Sequence, residues 1–113
     1  MGELRTLAKV AEIEPGKAKS FPNGEAAPIG VFNVGGEFFA IEDRCTHAEV
    51  RLTDGWVDEK CVSCPWHGAQ FDLETGEALS LPAILGVKSY PVEIEDGEIR
   101  VRIDHDPRAD FLL

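Results

Sequence analysis

The chain has 113 residues, of which 43% are hydrophobic and 28% charged, a composition typical of a globular domain and not of a disordered or collagen-like chain. The 21 acidic and 11 basic residues give a net charge of −10, which disfavours binding to nucleic acid. The longest uncharged stretches, 26–36 and 61–71, are about half the ~20 residues that a membrane-spanning helix needs. We therefore expect a single domain over residues 1–113 with no membrane span.

The first five residues already carry charge and contain no apolar signal segment. The three cysteines are odd in number and too few for a disulfide scaffold. Both observations favour a reducing, cytoplasmic setting, in which cysteines are more often metal ligands or small buried groups.

Residues 29–41 predict a β-hairpin. Two apolar runs, 29–34 and 37–41, are separated by Gly35-Gly36. Both glycines can take the positive φ of a primed hairpin turn, which suits the twist of antiparallel strands.

The stretch of about 43–82 is rich in loops and holds all three cysteines, two of the three histidines and both tryptophans. Two short motifs lie in it, Cys45-Thr46-His47 and Cys64-Pro65-Trp66-His67-Gly68. Each motif offers one thiolate and one imidazole. Together the motifs provide two thiolates and two imidazoles, a donor set that suits zinc or an iron–sulfur centre. Cys45, His47, Cys64 and His67 are therefore the candidate metal ligands.

A structural zinc site that stabilises a binding module is the alternative to an iron–sulfur centre. Zinc-binding loops usually hold their ligands two to four residues apart. The single residue between Cys45 and His47 makes convergence on one ion awkward. It favours a site in which each loop sends its cysteine to one metal ion and its histidine to a second ion nearby.

Residues 92–103 predict a second hairpin around Asp96-Gly97, with apolar residues on one face and charged residues on the other. The fold class predicted from these elements is all-β, a small antiparallel barrel or sandwich. Residues 104–113 are expected to form a tail or a late docking segment.

The Cys-Thr-His and Cys-Pro-Trp-His-Gly motifs resemble those of Rieske [2Fe–2S] proteins, of the soluble ferredoxin type found in bacterial ring-hydroxylating oxygenase systems. The resemblance extends over roughly residues 5–103. It implies that Cys45 and Cys64 bind one iron, that His47 and His67 bind the other, and that two sulfides bridge the irons. It also implies a base of three antiparallel sheets, with the cluster at the tip of a smaller subdomain, here about 43–82.

The resemblance implies a one-electron carrier between a flavin-dependent reductase and a terminal oxygenase or another redox enzyme, which would dock near His47, His67 and Pro82. The chain itself is not expected to be an enzyme. An oxygenase needs a second iron held by two histidines and a carboxylate, and His105 is the only histidine left over. A small subunit of a nitrite reductase-like complex is an alternative, although the presence of all four ligands favours electron transfer.

High-potential respiratory Rieske proteins carry an extra disulfide beside the cluster, and Ser and Tyr hydroxyls that bond to cluster sulfur. The corresponding positions are Val50 and Trp66 for the disulfide, and Ala69 and Phe71 for the hydroxyls. Val50 and Trp66 cannot form the disulfide, and Ala69 and Phe71 have no side-chain hydroxyl to bond to cluster sulfur. We therefore expect a potential nearer about −150 mV than +300 mV.

Four further residues of this stretch and the tail have expected structural roles. Cys61 is predicted to be a small buried apolar group. Trp56 is predicted to pack in the core or against a loop, and Trp66 to shield the cluster. His105, which lies between two aspartates, is predicted to be a solvated surface side chain.

Overall fold

The structure, a computed structural model, describes residues 3–24, 26–44, 50–65, 69–79 and 86–103. Within these ranges the regular elements are β-strands and two short 3-10 turns, with no α-helix. The strands are β1 (Glu3–Lys9), β2 (Ala18–Asn23), β3 (Ala26–Val34), β4 (Glu37–Glu42), β5 (Trp56–Asp58), β6 (Cys61–Ser63), β7 (Gln70–Asp72), β8 (Ser89–Tyr90), β9 (Val92–Glu95) and β10 (Glu98–Ile103). The 3-10 turns span Val10–Glu12 and Leu52–Asp54.

The strands form three antiparallel sheets. The first has the order β1-β10-β9, the second β2-β3-β4-β8 and the third β5-β6-β7. The prediction of an all-β fold built from three sheets is confirmed. The third sheet lies within the stretch of about 43–82 that holds the Cys–His motifs.

The first predicted hairpin is formed by β3 and β4. Val34 pairs with Glu37 across the turn, and Gly35 and Gly36 have φ values of 61° and 97°. Asn33 fixes the turn, because its Oδ1 accepts a hydrogen bond from the Gly36 amide at 2.8 Å. A side chain that bonds to the turn stabilises it beyond what the glycines alone provide.

The second predicted hairpin is formed by β9 and β10, with positive φ at both Asp96 and Gly97. Ile99 and Val101 are fully buried, as the alternating pattern predicts. Ile94 lies opposite Ile99 and is nevertheless 49% exposed. The prediction of a continuous apolar face fails there because β9 is the edge strand of its sheet, where the outer side has no neighbouring strand.

The second sheet separates two hydrophobic cores, and successive residues of β3 point to opposite sides of it. Ile29 and Val31 face one core and Phe32 faces the other, which explains the unbroken apolar run of this strand. The core shared with the first sheet, here called the base core, comprises Ala8, Ile13, Ile29, Val31, Ala40, Tyr90, Ile99 and Val101. The core shared with the third sheet, here called the site core, comprises Phe32, Phe39, Ile41, Leu52, Val62, Cys64, Ala69, Phe71, Leu73 and Val87.

Candidate metal centre

Of the four predicted ligands, Cys64 lies within the described part of the chain. Cys45, His47 and His67 lie outside it, as do Trp66, Pro82 and His105. The residues that flank these positions are described. They determine where each motif-bearing stretch leaves the folded framework and where it returns.

Cys64 follows β6 directly and is completely buried in the site core. Its backbone N–H donates a hydrogen bond of 2.7 Å to the carbonyl of Ala69, the residue that precedes β7. This bond continues the pairing of β6 with β7 and joins the two ends of the stretch that contains His67. The sequence Cys-Pro-Trp-His-Gly therefore spans a short connection between two adjacent strands.

A buried carboxylate secures the stretch that contains Cys45 and His47. Asp43 accepts a hydrogen bond from the Thr53 amide at 2.7 Å and another from the Thr53 hydroxyl at 2.8 Å. The Asp43 amide in turn donates to the Pro28 carbonyl at 2.7 Å, which ties this end to β3. This contact was not predicted from the sequence, where its only signal is an aspartate at the end of an apolar strand, two residues before the candidate ligand Cys45.

A third stretch, residues 80–85, contains Pro82 and is also held at both ends. The Leu79 amide donates to the Gln70 carbonyl at 2.7 Å, and the Val87 amide donates to the Gly76 carbonyl at 2.7 Å. Gly76 lies against the backbone of Val87, and glycine is required there, since a Cβ would lie 2.0 Å from the Val87 carbonyl oxygen.

Each of the three stretches has at least one flanking residue at the site core. Cys64, Ala69 and Val87 are among its buried residues, and Val50, which follows the Cys45–His47 stretch, packs against it. The one described ligand candidate therefore lies where the three stretches have their anchors. Within the described ranges, no group of three or more His, Cys, Asp or Glu side chains is arranged to hold a metal ion.

The surroundings of Cys64 fit a metal ligand. A thiolate buried among apolar side chains is unstable by itself, but coordination to a cation compensates its charge. Ala69 and Phe71, the positions where a hydroxyl would raise the potential, are fully buried in the same core and carry no hydroxyl. The donor set of two thiolates and two imidazoles matches that of a Rieske centre.

Two predictions about the third sheet were wrong. Trp56 does not pack in the core, because it begins the edge strand β5 with its side chain 65% exposed. Cys61 is only partly buried and pairs with Asp58 and Asp72 on its two sides. Partial burial raises the pKa of the Cys61 thiol and the two carboxylates raise it further, while a hydrogen bond with the Phe71 backbone acts in the opposite direction.

Comparison with known proteins gives the same assignment as the motifs. The sequence model of the Rieske [2Fe-2S] domain matches residues 4–91. The chain belongs to the Rieske [2Fe–2S] family. The 3-phenylpropionate/cinnamic acid dioxygenase ferredoxin subunit of Escherichia coli (strain K12) is 44% identical to it over 91 residues, which cover 80% of this chain and 84% of that protein.

Two solved structures have the same fold. The ferredoxin of Sphingomonas yanoikuyae B1 superposes with a TM-score of 0.80 at 38% identity, covering 92% of this chain and all of that one. A chain from the complex of reduced oxygenase and oxidized ferredoxin in carbazole 1,9a-dioxygenase superposes with a TM-score of 0.83 at 30% identity, covering 91% of this chain and 97% of that chain.

The Rieske ferredoxin is thus an electron-transfer protein whose cofactor is a Rieske-type [2Fe–2S] cluster with Cys and His ligands. Membership of this family displaces the zinc-stabilised binding module as the better interpretation of the motifs. No helix in the described part of the chain has the length and hydropathy needed to cross a membrane.

Proposed function

We propose that Cys45, His47, Cys64 and His67 are the ligands of the cluster, with the two cysteines on one iron and the two histidines on the other. The observation that carries this proposal is the burial of Cys64 in the site core, against which residues flanking both motif-bearing stretches also pack. When bound, the cluster supplies a reversible one-electron couple. No side chain of the protein then needs to act as an acid, a base or a nucleophile.

The buried residues of the site core exclude water from the Cys64 side of the proposed site. Leu52, Phe71 and Ala69 lie in this core with no exposed surface. Low water access makes a change of charge more costly, and neither Ala69 nor Phe71 has a side-chain donor that would stabilise the reduced form. The proposed potential is therefore at the low end of the Rieske range, nearer about −150 mV than +300 mV.

The proposed electron acceptor is a terminal oxygenase, and the proposed donor is a flavin-dependent reductase. The relatives are ferredoxin subunits of a dioxygenase, and a structural neighbour comes from a complex of an oxygenase with its ferredoxin. These names support the acceptor. The donor is proposed because a ferredoxin that gives up one electron per cycle needs a reductant of its own.

We also propose that residues 1–113 form a single Rieske-type domain that acts in the cytoplasm, with a cluster-binding subdomain at about 43–82 and a tail at 104–113. The separation of the site core from the base core supports the subdomain, because the third sheet contributes to the site core alone.

The ligand assignment is tested on protein purified without oxygen, by analysis of iron, sulfide and zinc and by an EPR-monitored redox titration. We expect iron and sulfide in equal amounts and a reduced-state signal with an average g below 2. Cys64→Ser should abolish the signal, and the matched variant Cys61→Ser should keep it. His67→Asn should abolish it and His105→Asn should not. Zinc without sulfide, or loss of the signal in Cys61→Ser but not Cys64→Ser, would overturn the assignment.

The acceptor is tested by stopped-flow oxidation of the reduced protein. The probe is the terminal oxygenase of the E. coli 3-phenylpropionate/cinnamic acid dioxygenase, whose ferredoxin subunit is a relative of this chain. Rapid bleaching of the reduced protein that saturates with oxygenase concentration supports the proposal. A rate no greater than that with bovine serum albumin argues against it.

A further inference from the structure

The third sheet has an outer face that the site core does not cover. Val62 and Phe71 point inward and are fully buried, so their neighbours along each strand point outward. The outer face, as named here, is the set of outward-pointing residues of β5, β6, β7 and the segment after β7. These residues are Trp56, Asp58, Cys61, Ser63, Gln70, Asp72, Glu77 and Leu79.

One row of this outer face runs across the sheet next to the proposed site. Trp56 pairs with Ser63, Ser63 pairs with Gln70, and the Leu79 amide binds the Gln70 carbonyl. Residues paired in this way lie side by side on one face. Ser63 directly precedes Cys64, and Gln70 directly follows Ala69, so the row lies one residue from the proposed thiolate ligand.

This row has an apolar side chain at each end. Trp56 is 65% exposed and Leu79 is 50% exposed, which makes them two of the most exposed large hydrophobic residues in the described ranges. Three strand spacings separate them, about 14 Å. Trp is one of the residue types most enriched among the energetic centres of protein interfaces.

The next row of the outer face is acidic. Asp58 pairs with Cys61, Cys61 pairs with Asp72, and the Asp72 amide binds the Glu77 carbonyl. Nearby Lys60 forms its ion pairs with Glu37 and Glu74 and not with these three carboxylates. The Asp72 carboxylate accepts hydrogen bonds from the Glu74 and Thr75 amides, which leave its charge uncompensated. The direction of the Cys61 pKa, raised by burial and then by Asp58 and Asp72, agrees with a negative potential here.

We propose that the outer face is a docking surface for a redox protein that presents basic side chains beside an apolar patch, with Trp56 and Leu79 as the apolar anchors and Asp58, Asp72 and Glu77 as the complementary charges. A second copy of this chain is a poor occupant, since each copy carries a net charge of −10 and the same acidic row. The proposal rests on the proposed electron-transfer function. It adds a surface one residue from Cys64 to the one expected near His47, His67 and Pro82.

The test compares two electron acceptors in stopped-flow experiments with the reduced holoprotein. Cytochrome c is a basic protein acceptor, and ferricyanide is a small anion that needs no docking surface. We expect Trp56→Ser/Leu79→Ser to lower the rate constant with cytochrome c by about fivefold or more at low salt, and to leave the ferricyanide rate unchanged. The matched control is Ile94→Ser on β9, because Ile94 is as exposed as Leu79 but lies on another sheet.

A second pair of variants tests the charges without disturbing the apolar anchors. Asp58→Asn/Glu77→Gln should flatten the salt dependence of the cytochrome c reaction, while Glu14→Gln/Glu93→Gln, which removes the same charge elsewhere, should change it less. These variants also keep the proposal testable if the Trp56 variant does not fold.

The outcomes separate the docking proposal from the proposed function. A wild-type protein without a Rieske EPR signal or ferricyanide reactivity would refute the electron-transfer function. With both intact, equal cytochrome c rates in Trp56→Ser/Leu79→Ser and Ile94→Ser would refute the docking surface. A dimer in sedimentation velocity that dissociates on Trp56→Ser would also refute it, by assigning the face to a second copy.

Discussion

Asp43 and Thr53 form a two-point contact across ten positions of the chain, with both carboxylate oxygens of Asp43 engaged by Thr53. The contact is buried at Asp43 and brackets the stretch that contains Cys45 and His47. Gly30 makes room for it, because a Cβ at that position would lie 2.9 Å from the Thr53 methyl group and 3.3 Å from the Asp43 Cβ. The absence of a side chain at Gly30 of β3 thus leaves room for the contact that flanks the Cys45–His47 stretch.

Thr53→Val tests the contribution of the Asp43–Thr53 contact to stability. The substitution keeps the shape of the side chain but leaves one buried oxygen of Asp43 without its donor, so we expect a loss of about 1–3 kcal/mol in the free energy of unfolding. Urea denaturation of the holoprotein measures it. Thr53→Ser should lose less, and Thr6→Val on the exposed side of β1 should stay within about 0.5 kcal/mol. Equal losses in Thr53→Val and Thr6→Val would mean that the hydroxyl contact contributes nothing.

The close approach of Gly76 to Val87 predicts that substitution of Gly76 lowers stability more than substitution of Gly97. Gly76 and Gly97 have similar positive φ values, 81° and 75°, so alanine is strained at both by roughly 1–2 kcal/mol. At Gly76 the added Cβ also meets the Val87 carbonyl at 2.0 Å, whereas nothing lies within 4 Å at Gly97. We therefore expect Gly76→Ala to unfold at a clearly lower urea concentration than Gly97→Ala. The reverse order would contradict the close approach of Gly76 to the Val87 carbonyl.

The absence of a hydroxyl at residue 69 predicts that the potential can be raised. In Ala69→Ser, a hydrogen bond that is about 1.4 kcal/mol stronger in the reduced state would raise a one-electron potential by about 59 mV. An EPR-monitored titration measures the shift. Ala40→Ser is the matched control, since Ala40 is a buried alanine of the base core, and it should leave the potential unchanged. A shift of equal size in both variants would mean that the effect is not local.

The environment of Cys61 predicts that its thiol is alkylated slowly near neutral pH. Because partial burial and the carboxylates of Asp58 and Asp72 raise its pKa, less of it is thiolate at pH 8 than for an ordinary cysteine, whose pKa is about 8.5. The rate of alkylation by iodoacetamide should therefore keep rising at a pH where a free cysteine has levelled off. Cys61→Ser gives the background rate from the other thiols.

Substitution of one carboxylate identifies the electrostatic part of that shift. Asp58→Asn should move the midpoint of the Cys61 pH–rate profile to lower pH, because one of the charges that disfavour the thiolate is gone. Glu59→Gln, which removes an adjacent charge that is not among the causes, should move it less. A midpoint that is the same in all three proteins would mean that Asp58 does not contribute to the raised pKa of Cys61.

Turn chemistry and motif spacing are local properties, and these were predictable from the sequence. Gly35-Gly36 and Asp96-Gly97 indicated two hairpins that the structure confirms, because positive φ at those positions is a property of the residues themselves. The Cys–His motifs resemble those of Rieske proteins, and the family match confirms membership of that family. The assignment of the individual ligands stays a prediction.

The sequence by itself determined the turns and the candidate donor atoms, since both depend on a few neighbouring residues. Only the tertiary structure decided which side chains are covered. Trp56 and Phe71 are aromatic residues of one small sheet, yet Phe71 is fully buried and Trp56 is 65% exposed, because Phe71 faces the site core and Trp56 lies on the opposite face, on the edge strand β5. Burial depends on which parts of the chain pack against a strand, and these parts are distant in sequence. The same is true of the Asp43–Thr53 contact, which joins residues ten positions apart.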